Sequence, residues 1–319
     1  MSEVAPEAKV WDILRGALAT RTLGIVAGLG IPHALAEGPR SVEDLARDAG
    51  ADADADALHR LLRALASEGI FAEEERGVFR NTPASELLLT SGWDDFAVLF
   101  GGVWYRAVER LDASGTAVFP DVFGTDFWAW LAEHPEERAR FDRAMAQGSD
   151  TRIERLETVD WRSGETVVDV GGGNGSLLAE LLKAHPDLHG IVFDLPETTR
   201  DESFFGDGLE FVAGSFFERV PEGDVYLLAT ILHDWDDDSA AKILRTIRAA
   251  APQDARLIIL DAVVPQGNEP FGPKWLDLLM LTLFAGRERD EDQWRALLAA
   301  GDFEPVRFDE RLIEARCRS

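Results

Sequence analysis

A strand that runs straight into a glycine-rich loop is the feature that most restricts how this chain folds. Residues 166–170 are β-branched apart from Asp169, and they are followed by glycines at 171, 172, 173 and 175. A helical pattern begins directly after the loop, at Ser176. Because glycine adopts positive φ and lets a backbone approach a ligand closely, this stretch predicts a strand, a ligand-binding turn and a helix in succession.

The same alternation of strand and helix continues through the C-terminal half of the chain. Strands are predicted at residues 191–194, 209–213, 225–230 and 256–264, and helices at residues 176–184 and 237–250. Alternating βα units predict an α/β fold with a doubly wound, mostly parallel, Rossmann-like sheet that carries helices on both faces.

The N-terminal region reads as helices followed by a short hairpin, in the order of a winged helix. Ser41 is placed to cap a helix that stops near Gly50, and a helix at 57–68 precedes a hairpin at about 70–80. Winged helices usually bind DNA, but residues 1–100 hold nine Lys and Arg against seventeen Asp and Glu, a net charge of −8. The whole chain carries −27, so a packing or dimerisation role is favoured over nucleic-acid binding.

Three parts are predicted: a mainly helical winged-helix-like dimerisation domain at 1–100, a helical connector at 101–160, and a cofactor-binding domain at 161–319. The connector is rich in aromatic residues, which are read equally well as core or as the wall of an aromatic substrate pocket.

The lone Cys317 excludes an internal disulfide and a thiolate zinc site, and no metal site is predicted. With no signal peptide and no apolar run near the roughly 20 residues of a membrane span, we expect a cytoplasmic protein with no membrane contact.

Acidic residues beside the glycine loop indicate what it binds. Asp194 ends the next predicted strand, where a carboxylate accepts both ribose hydroxyls of an adenosine. The loop has the form G-x-G-x-G, not the G-x-G-x-x-G of dinucleotide enzymes, and it contains no basic residue. Asp169 lies two positions before the loop, where it suits a cationic ligand. These details favour S-adenosylmethionine (SAM), which becomes S-adenosylhomocysteine (SAH), over NAD, although a nicotinamide dehydrogenase remains an alternative.

Five ordered motifs carry a family resemblance over nearly the whole chain. They are Val167-Val-Asp-Val-Gly-Gly-Gly-Asn-Gly, Phe193-Asp-Leu-Pro, Gly214-Ser-Phe-Phe, Leu232-His-Asp-Trp-Asp and Gly286-Arg-Glu-Arg. Together they resemble the SAM-dependent small-molecule O-methyltransferases, both the plant caffeate and flavonoid type and the bacterial natural-product type. The resemblance implies a homodimer formed through the N-terminal domain, and methyl transfer to a phenolic or enolic hydroxyl of a small aromatic acceptor.

The resemblance also implies which residues surround the cofactor. Gly171 and Gly173 would approach the methionine part, Asp194 with Leu195 would hold the ribose, Ser215 and Phe216 would border the adenine, and Met145 and Ser149 would cap the cofactor beside the acceptor. Two positions depart from the family: Ser215 stands where Asp is frequent, and Ala229 lies near a Lys of the plant enzymes. We therefore expect weaker or backbone-based recognition of the adenine.

His233 is the candidate general base. It follows an apolar strand at the end where ligands bind in open α/β sheets, and imidazole suits proton abstraction near neutral pH. The resemblance places two carboxylates around it, Asp261 and Glu288, of which Asp261 is one methylene shorter than the Glu frequent there. Asp234 would point elsewhere if the strand continued, so it is expected to be structural.

A helix at residues 275–284 carries the candidate acceptor-binding face, with Asp277, Met280 and Phe284 at helical spacing. This face is read either as core or dimer packing, or as the acceptor pocket that the family implies.

Two further functions of the chain stay open at this point. One is a relative that uses SAM for hydroxylation or decarboxylation, and the other is a winged-helix regulator that senses SAM.

Overall fold

The computed structural model describes residues 5–50, 53–90, 92–147, 149–196, 198 and 209–318, with backbone alone at 149 and 150. The helices are α1 (Pro6–Gly28), α2 (Ile31–Ala34), α3 (Val42–Ala49), α4 (Ala55–Ser67), α5 (Pro83–Glu86), α6 (Trp93–Gly101), α7 (Val103–Val108), α8 (Phe119–Phe123), α9 (Phe127–Glu133), α10 (Pro135–Met145), α11 (Ser149–Leu156), α12 (Ser176–Ala184), α13 (Asp237–Ala250), α14 (Pro273–Phe284) and α15 (Glu291–Ala300). The strands are β1 (Arg40–Ser41), β2 (Phe71–Glu75), β3 (Val78–Asn81), β4 (Thr166–Val170), β5 (His189–Asp194), β6 (Leu209–Ala213), β7 (Val225–Ala229), β8 (Arg256–Leu260), β9 (Phe303–Asp309) and β10 (Leu312–Cys317).

The chain divides into two units. Unit 1 comprises residues 1–110 with 134–147, and unit 2 comprises residues 111–133 with 148–319. The predicted connector at 101–160 therefore contributes to both units. None of the helices in the described residues is long and apolar enough to cross a membrane.

Unit 1 contains the predicted helices and hairpin. The Oγ atom of Ser41 accepts the backbone N–H of Asp44 at 3.2 Å and caps α3, as expected. Helix α4 begins at Ala55, two residues before the predicted start, because Asp54 caps it by accepting the N–H of Ala57. Strands β2 and β3 form the predicted hairpin, and β1 pairs with β3 to complete an antiparallel sheet in the order β1-β3-β2.

The sheet of unit 2 has the strand order β6-β5-β4-β7-β8-β10-β9. All of its pairings up to β8 are parallel, and β10 is antiparallel to both of its neighbours, β8 and β9. Apolar residues of α11 and α12 pack on one face, and those of α13 and α15 pack on the other. The predicted doubly wound, mostly parallel α/β fold is therefore confirmed.

Two predicted strands end earlier in the structure than in the sequence pattern. Strand β7 stops at Ala229, since Thr230 has a φ of 56° and turns the chain out of the sheet. Strand β8 stops at Leu260, which is paired with Ala229, the last residue of β7. Both early ends leave the residues that follow free to form the site described below.

In unit 1, helices α1 and α6 approach each other so closely that only glycine fits at the contact. A Cβ atom on Gly24 would lie 2.7 Å from the carbonyl oxygen of Ala97 and 2.7 Å from the Cα atom of Gly101. Backbone atoms cannot move aside as a flexible side chain can. The sequence therefore fixes the distance between these two helices with a pair of glycines.

We expect Gly24→Ala to lower the free energy of unfolding by about 1–3 kcal/mol, because the methyl group overpacks a backbone contact. Urea unfolding followed by circular dichroism measures the loss. Gly28→Ala is the matched control on the same helix, since its Cβ atom would meet only Cγ2 of Val98 at 3.8 Å. Equal stability of Gly24→Ala and the wild type would contradict the close contact.

Candidate functional site

The carboxyl ends of the parallel strands in unit 2 meet at one edge of the sheet, where open α/β folds bind ligands. A glycine loop connects the end of β4 to the start of α12. Gly171 and Gly173 have φ values of 76° and 60°, in the region that favours glycine. A Cβ atom on Gly173 would meet nothing within 4 Å, so open space lies beside the loop at this residue. The loop thus offers a bare backbone surface to a ligand.

Asp194 ties the end of β5 to this loop. Its Oδ2 atom accepts the backbone N–H of Gly173 at 2.8 Å, and its Oδ1 atom accepts the N–H of Leu195 at 2.6 Å. The backbone carbonyl of Asp194 also accepts the N–H of Gly214, which precedes Ser215 and Phe216. The structure therefore brings most of the predicted cofactor residues to one edge of the sheet.

Asp169 is a buried carboxylate without a hydrogen-bond partner for its Oδ2 atom among the described residues. Burial and, to a smaller extent, the nearby Asp194 raise its pKa to about 7 against the opposing effect of Arg152. A buried carboxylate with a free oxygen is stabilised by a cation that reaches it. The predicted affinity of this position for a cationic group is thus consistent with the structure.

His233 lies at the same edge, in a short 3-10 turn at Leu232–Asp234 that follows β7. Its Nδ1 atom is 2.9 Å from Oε1 of Glu288, a hydrogen bond between side chains 55 residues apart in the chain. Its Nδ1 atom is 3.9 Å from Oδ1 of Asp261, beyond hydrogen-bond distance. Asp261 instead accepts the backbone N–H of Leu232 at 3.2 Å and so supports the turn.

The expected orientation of Asp234 is wrong. Its Oδ1 atom lies 3.5 Å from Nε2 of His233, on the side of the ring opposite to Glu288. The expectation assumed a continuing strand, whereas the positive φ of Thr230 ends the strand and the 3-10 turn bends Asp234 back beside its neighbour. Both ring nitrogens of His233 therefore face a carboxylate.

These carboxylates control the proton affinity of the imidazole. Burial alone lowers the pKa of His233, because water no longer solvates the charged ring, but Asp261, Asp234 and Glu288 outweigh this effect and raise the pKa to about 10. Burial also raises the pKa of Asp234 to about 7 and that of Asp261 to about 6. The three carboxylates thus favour the protonated form of His233.

Helix α14 holds Glu288 in place and contributes an aromatic surface. Oδ1 of Asp277 accepts the backbone N–H of Glu288 at 2.7 Å, Met280 is buried, and Phe284 is half-buried. The ring of Phe284 stacks on Trp128 at 5.4 Å and meets Phe127 edge to face at 5.0 Å. The connector aromatics thus include a buried core residue, Phe127, and a half-buried one, Trp128, that extends the surface around Phe284.

Two predicted site residues are not placed with the others. Met145 belongs to α10 in unit 1, and the side chain of Ser149 lies outside the described part of the chain. Both therefore stay predictions. Among the described residues, no group of His, Cys, Asp and Glu side chains is arranged to hold a metal ion.

A cavity of about 620 Å³ is lined in part by residues 285–288, with Glu288 among them. Its lining is mainly charged and polar, with Asp237, Lys274, Asp277 and Arg287 among its residues. A flat aromatic molecule binds in apolar surroundings, so the half-buried rings near Phe284 suit it better than this cavity does.

Comparison with known proteins gives matches over nearly the whole chain. A family model described as an O-methyltransferase domain matches residues 104–304, and one described as an O-methyltransferase dimerisation domain matches residues 11–91. Phenazine O-methyltransferase PhzM of Lysobacter antibioticus is 37% identical over 96% of this chain and 94% of its own.

Solved structures of similar proteins have the same fold. The mitomycin 7-O-methyltransferase MmcR superposes with a TM-score of 0.89 at 35% identity, over 98% of each chain. NcsB1, an O-methyltransferase from neocarzinostatin biosynthesis, was solved with SAH and 1,4-dihydroxy-2-naphthoic acid. It superposes with a TM-score of 0.82 at 30% identity, over 99% of this chain and 100% of its own.

We expect Glu288→Gln to lower the pKa of His233 by about 1–3, because it removes a carboxylate that stabilises the imidazolium. NMR titration of ¹⁵N-labelled histidine rings measures this pKa. A pKa raised in the folded state adds stability that is complete below the unfolded value of about 6.5 and is lost as the pH rises through about 10. The variant should therefore be destabilised most at and below neutral pH.

Glu165→Gln is the matched control for this experiment, since Glu165 is a buried carboxylate that pairs with Arg256 and precedes β4 at the opposite end of the sheet. It should leave the titration of His233 unchanged. An identical His233 titration in Glu288→Gln and in the wild type would refute the pairing.

Proposed function

The chain belongs to the O-methyltransferase family, and we propose that it transfers the methyl group of SAM to a hydroxyl of a small aromatic acceptor with His233 as general base. The observation that carries this proposal is the hydrogen bond between His233 and Glu288, at the edge of the sheet that also holds the glycine loop. The family assignment confirms the resemblance inferred from the five motifs, and with it a SAM-dependent methyltransferase. It favours methyl transfer over hydroxylation, decarboxylation, SAM sensing or hydride transfer.

The residues at the edge of the sheet fit SAM. Its sulfonium and ammonium groups suit Asp169, whose buried Oδ2 atom has no partner among the described residues, and the bare backbone at Gly173 leaves room for the methionine chain. Each oxygen of Asp194 accepts one backbone N–H and keeps further lone pairs for the ribose hydroxyls. Leu195 is the proposed neighbour of the ribose, and Ser215 and Phe216 are the proposed neighbours of the adenine. When bound, SAM supplies a methyl group on a positively charged sulfur.

The remaining task of the protein is to align an acceptor hydroxyl and remove its proton. A phenol has a pKa of about 10, so a base near neutral pH raises the fraction of the reactive oxyanion. Only neutral His233 accepts that proton, at Nε2, while Glu288 holds Nδ1 and stabilises the imidazolium that forms. Asp261, Asp234 and Glu288 raise the pKa of His233 to about 10, so a cationic group bound beside these carboxylates would lower it and favour the neutral ring.

The acceptor we propose is a flat, hydroxylated aromatic molecule. Relatives of this chain are named for phenazine and mitomycin methylation, and NcsB1 was solved with a dihydroxynaphthoic acid. The half-buried rings of Phe284 and Trp128 provide the apolar surface that such a molecule requires, and the buried Met280 lies one turn before Phe284 on α14. The family motif implies that Met145 and Ser149 cap the cofactor, and Asp277 accepts the backbone N–H of Glu288.

We expect His233→Ala to lower methyl transfer about 10²- to 10⁴-fold, because the acceptor keeps its proton, while SAH still binds. Transfer of labelled methyl from SAM to a panel of hydroxylated naphthoic and phenazine carboxylic acids measures activity, and calorimetry measures SAH binding. His189→Ala is the matched control, since His189 is exposed and lies at the opposite end of the sheet, at the start of β5.

Full activity of His233→Ala over the whole pH range would disprove the role of the base. Failure of the wild type to methylate any member of the panel would exclude the proposed acceptor class.

We further propose that two copies of the chain pair through α1, within residues 1–100. Five large apolar side chains of this helix are each more than 60% exposed: Val10, Trp11, Ile13, Leu14 and Leu18. An exposed apolar surface of this kind is typical of an interaction site, and the dimerisation model matches residues 11–91. A second copy of α1 is therefore the expected partner.

Location in the cytoplasm remains a prediction of the sequence.

Size-exclusion chromatography with light scattering should show a dimer for the wild type and a monomer for the double variant Leu14→Glu, Leu18→Glu, since burying two carboxylates in an apolar interface is costly. Lys9→Glu is the control, because it adds a carboxylate to the same helix without removing an apolar side chain. A monomeric wild type, or a dimeric double variant, would count against α1 as the interface.

A further inference from the structure

Arg289 is fully buried, and its guanidinium group binds the backbone of the turn that carries His233. One terminal nitrogen donates to the carbonyl of Leu232 at 2.8 Å, and the other donates to the carbonyl of Trp235 at 2.8 Å. These carbonyls lie immediately before and two residues after the imidazole. Because arginine is rarely buried completely unless it is paired, this arrangement indicates a specific task.

The charge of Arg289 is balanced from the other side. Its Nε atom donates to Oδ1 of Asp237, the first residue of α13, at 2.9 Å, and its guanidinium lies 5.4 Å from the ring centre of Trp294. It also lowers the pKa of Asp261, against the larger effect of burial, which raises it. The guanidinium thus joins the turn, α13 and α15 and adds positive charge beside the carboxylates.

The residues just before Arg289 run along the same turn. The backbone N–H of Arg287 donates to the carbonyl of His233 at 2.8 Å. Gly286 packs so tightly on His233 and Asp234 that a Cβ atom there would collide with their backbone. Glu288 lies between these contacts, with its side chain on Nδ1 of His233. The relative position of base and carboxylate therefore depends on how residues 286–289 dock on the turn.

We propose that Arg289 is a positioning residue for methyl transfer, which holds the turn at 232–235 against residues 286–289 so that Glu288 stays bonded to His233. The proposal rests on the proposed function, in which His233 is the base. Arginine suits this task because its planar group donates in several fixed directions at once, whereas the ammonium of lysine is a compact point charge.

Arg289→Lys tests the proposal, since it keeps the charge and removes the fixed fork of donors. We expect kcat to fall about 10- to 100-fold through misalignment, with the KM for SAM and the affinity for SAH unchanged. The pKa of His233, measured by NMR titration, should fall because its bond to Glu288 loosens. In a Glu288→Gln background, Arg289→Lys should cause no further change in this pKa, because the bond is already lost.

Arg287→Lys is the matched control. Arg287 also pairs with Asp237, at 2.9 Å, but its side chain is 45% exposed, so the variant should keep kcat within about two-fold of the wild type. An Arg289→Lys enzyme with wild-type kcat and an unchanged pKa of His233 would overturn the proposal. The proposal would also be overturned if kcat, SAH affinity and thermal stability all fell to the same extent while the pKa of His233 stayed unchanged. Full activity of His233→Ala would instead refute the proposed function.

Discussion

The excess of buried negative charge at the carboxyl edge of the sheet is the constraint on which the site depends. Asp169, Asp234, Asp261 and Glu288 are all buried there, and His233 is the imidazole among them. The nearby guanidinium groups belong to Arg152 and Arg289, and burial lowers the pKa of both. Burial raises the pKa of Asp169 and Asp234 to about 7 and that of Asp261 to about 6, so a positive charge that reaches these carboxylates favours their ionised forms. SAM, whose sulfonium, ammonium and carboxylate leave it with a net positive charge, suits these surroundings.

Strands and helices with simple periodic patterns could be predicted to the residue. The sequence pattern located β4, α12, β6 and α13 with their observed bounds, since each has an apolar face or a continuous apolar run between clear breaks. The antiparallel strands β9 and β10 were not predicted, because charged residues interrupt the apolar pattern of each. The early end of β7 depends on a positive φ at Thr230, which no residue type reveals in advance.

The site was predictable where its residues lie in motifs and unpredictable where it depends on backbone direction. His233 and Glu288 are 55 residues apart, yet the motifs that contain them indicated a pair, and the structure brings them to 2.9 Å. The place of Asp234 could not be predicted, because it follows from the 3-10 turn after β7. Arg289 lies in a recognised motif, but a surface arginine and a buried one look alike in a single sequence.

Polar atoms without partners explain why this edge of the sheet is suited to binding. Among the buried side-chain atoms that lack a hydrogen bond in the described residues, one oxygen each of Asp169, Asp261 and Glu288 lies at this edge. Buried polar oxygens without a protein partner are typical of a place that water or a polar ligand enters. Arg289 bonds the carbonyls of Leu232 and Trp235 and so fixes the backbone beside these carboxylates. The oxygens thus lie where a cationic donor and an ionising hydroxyl have to be held.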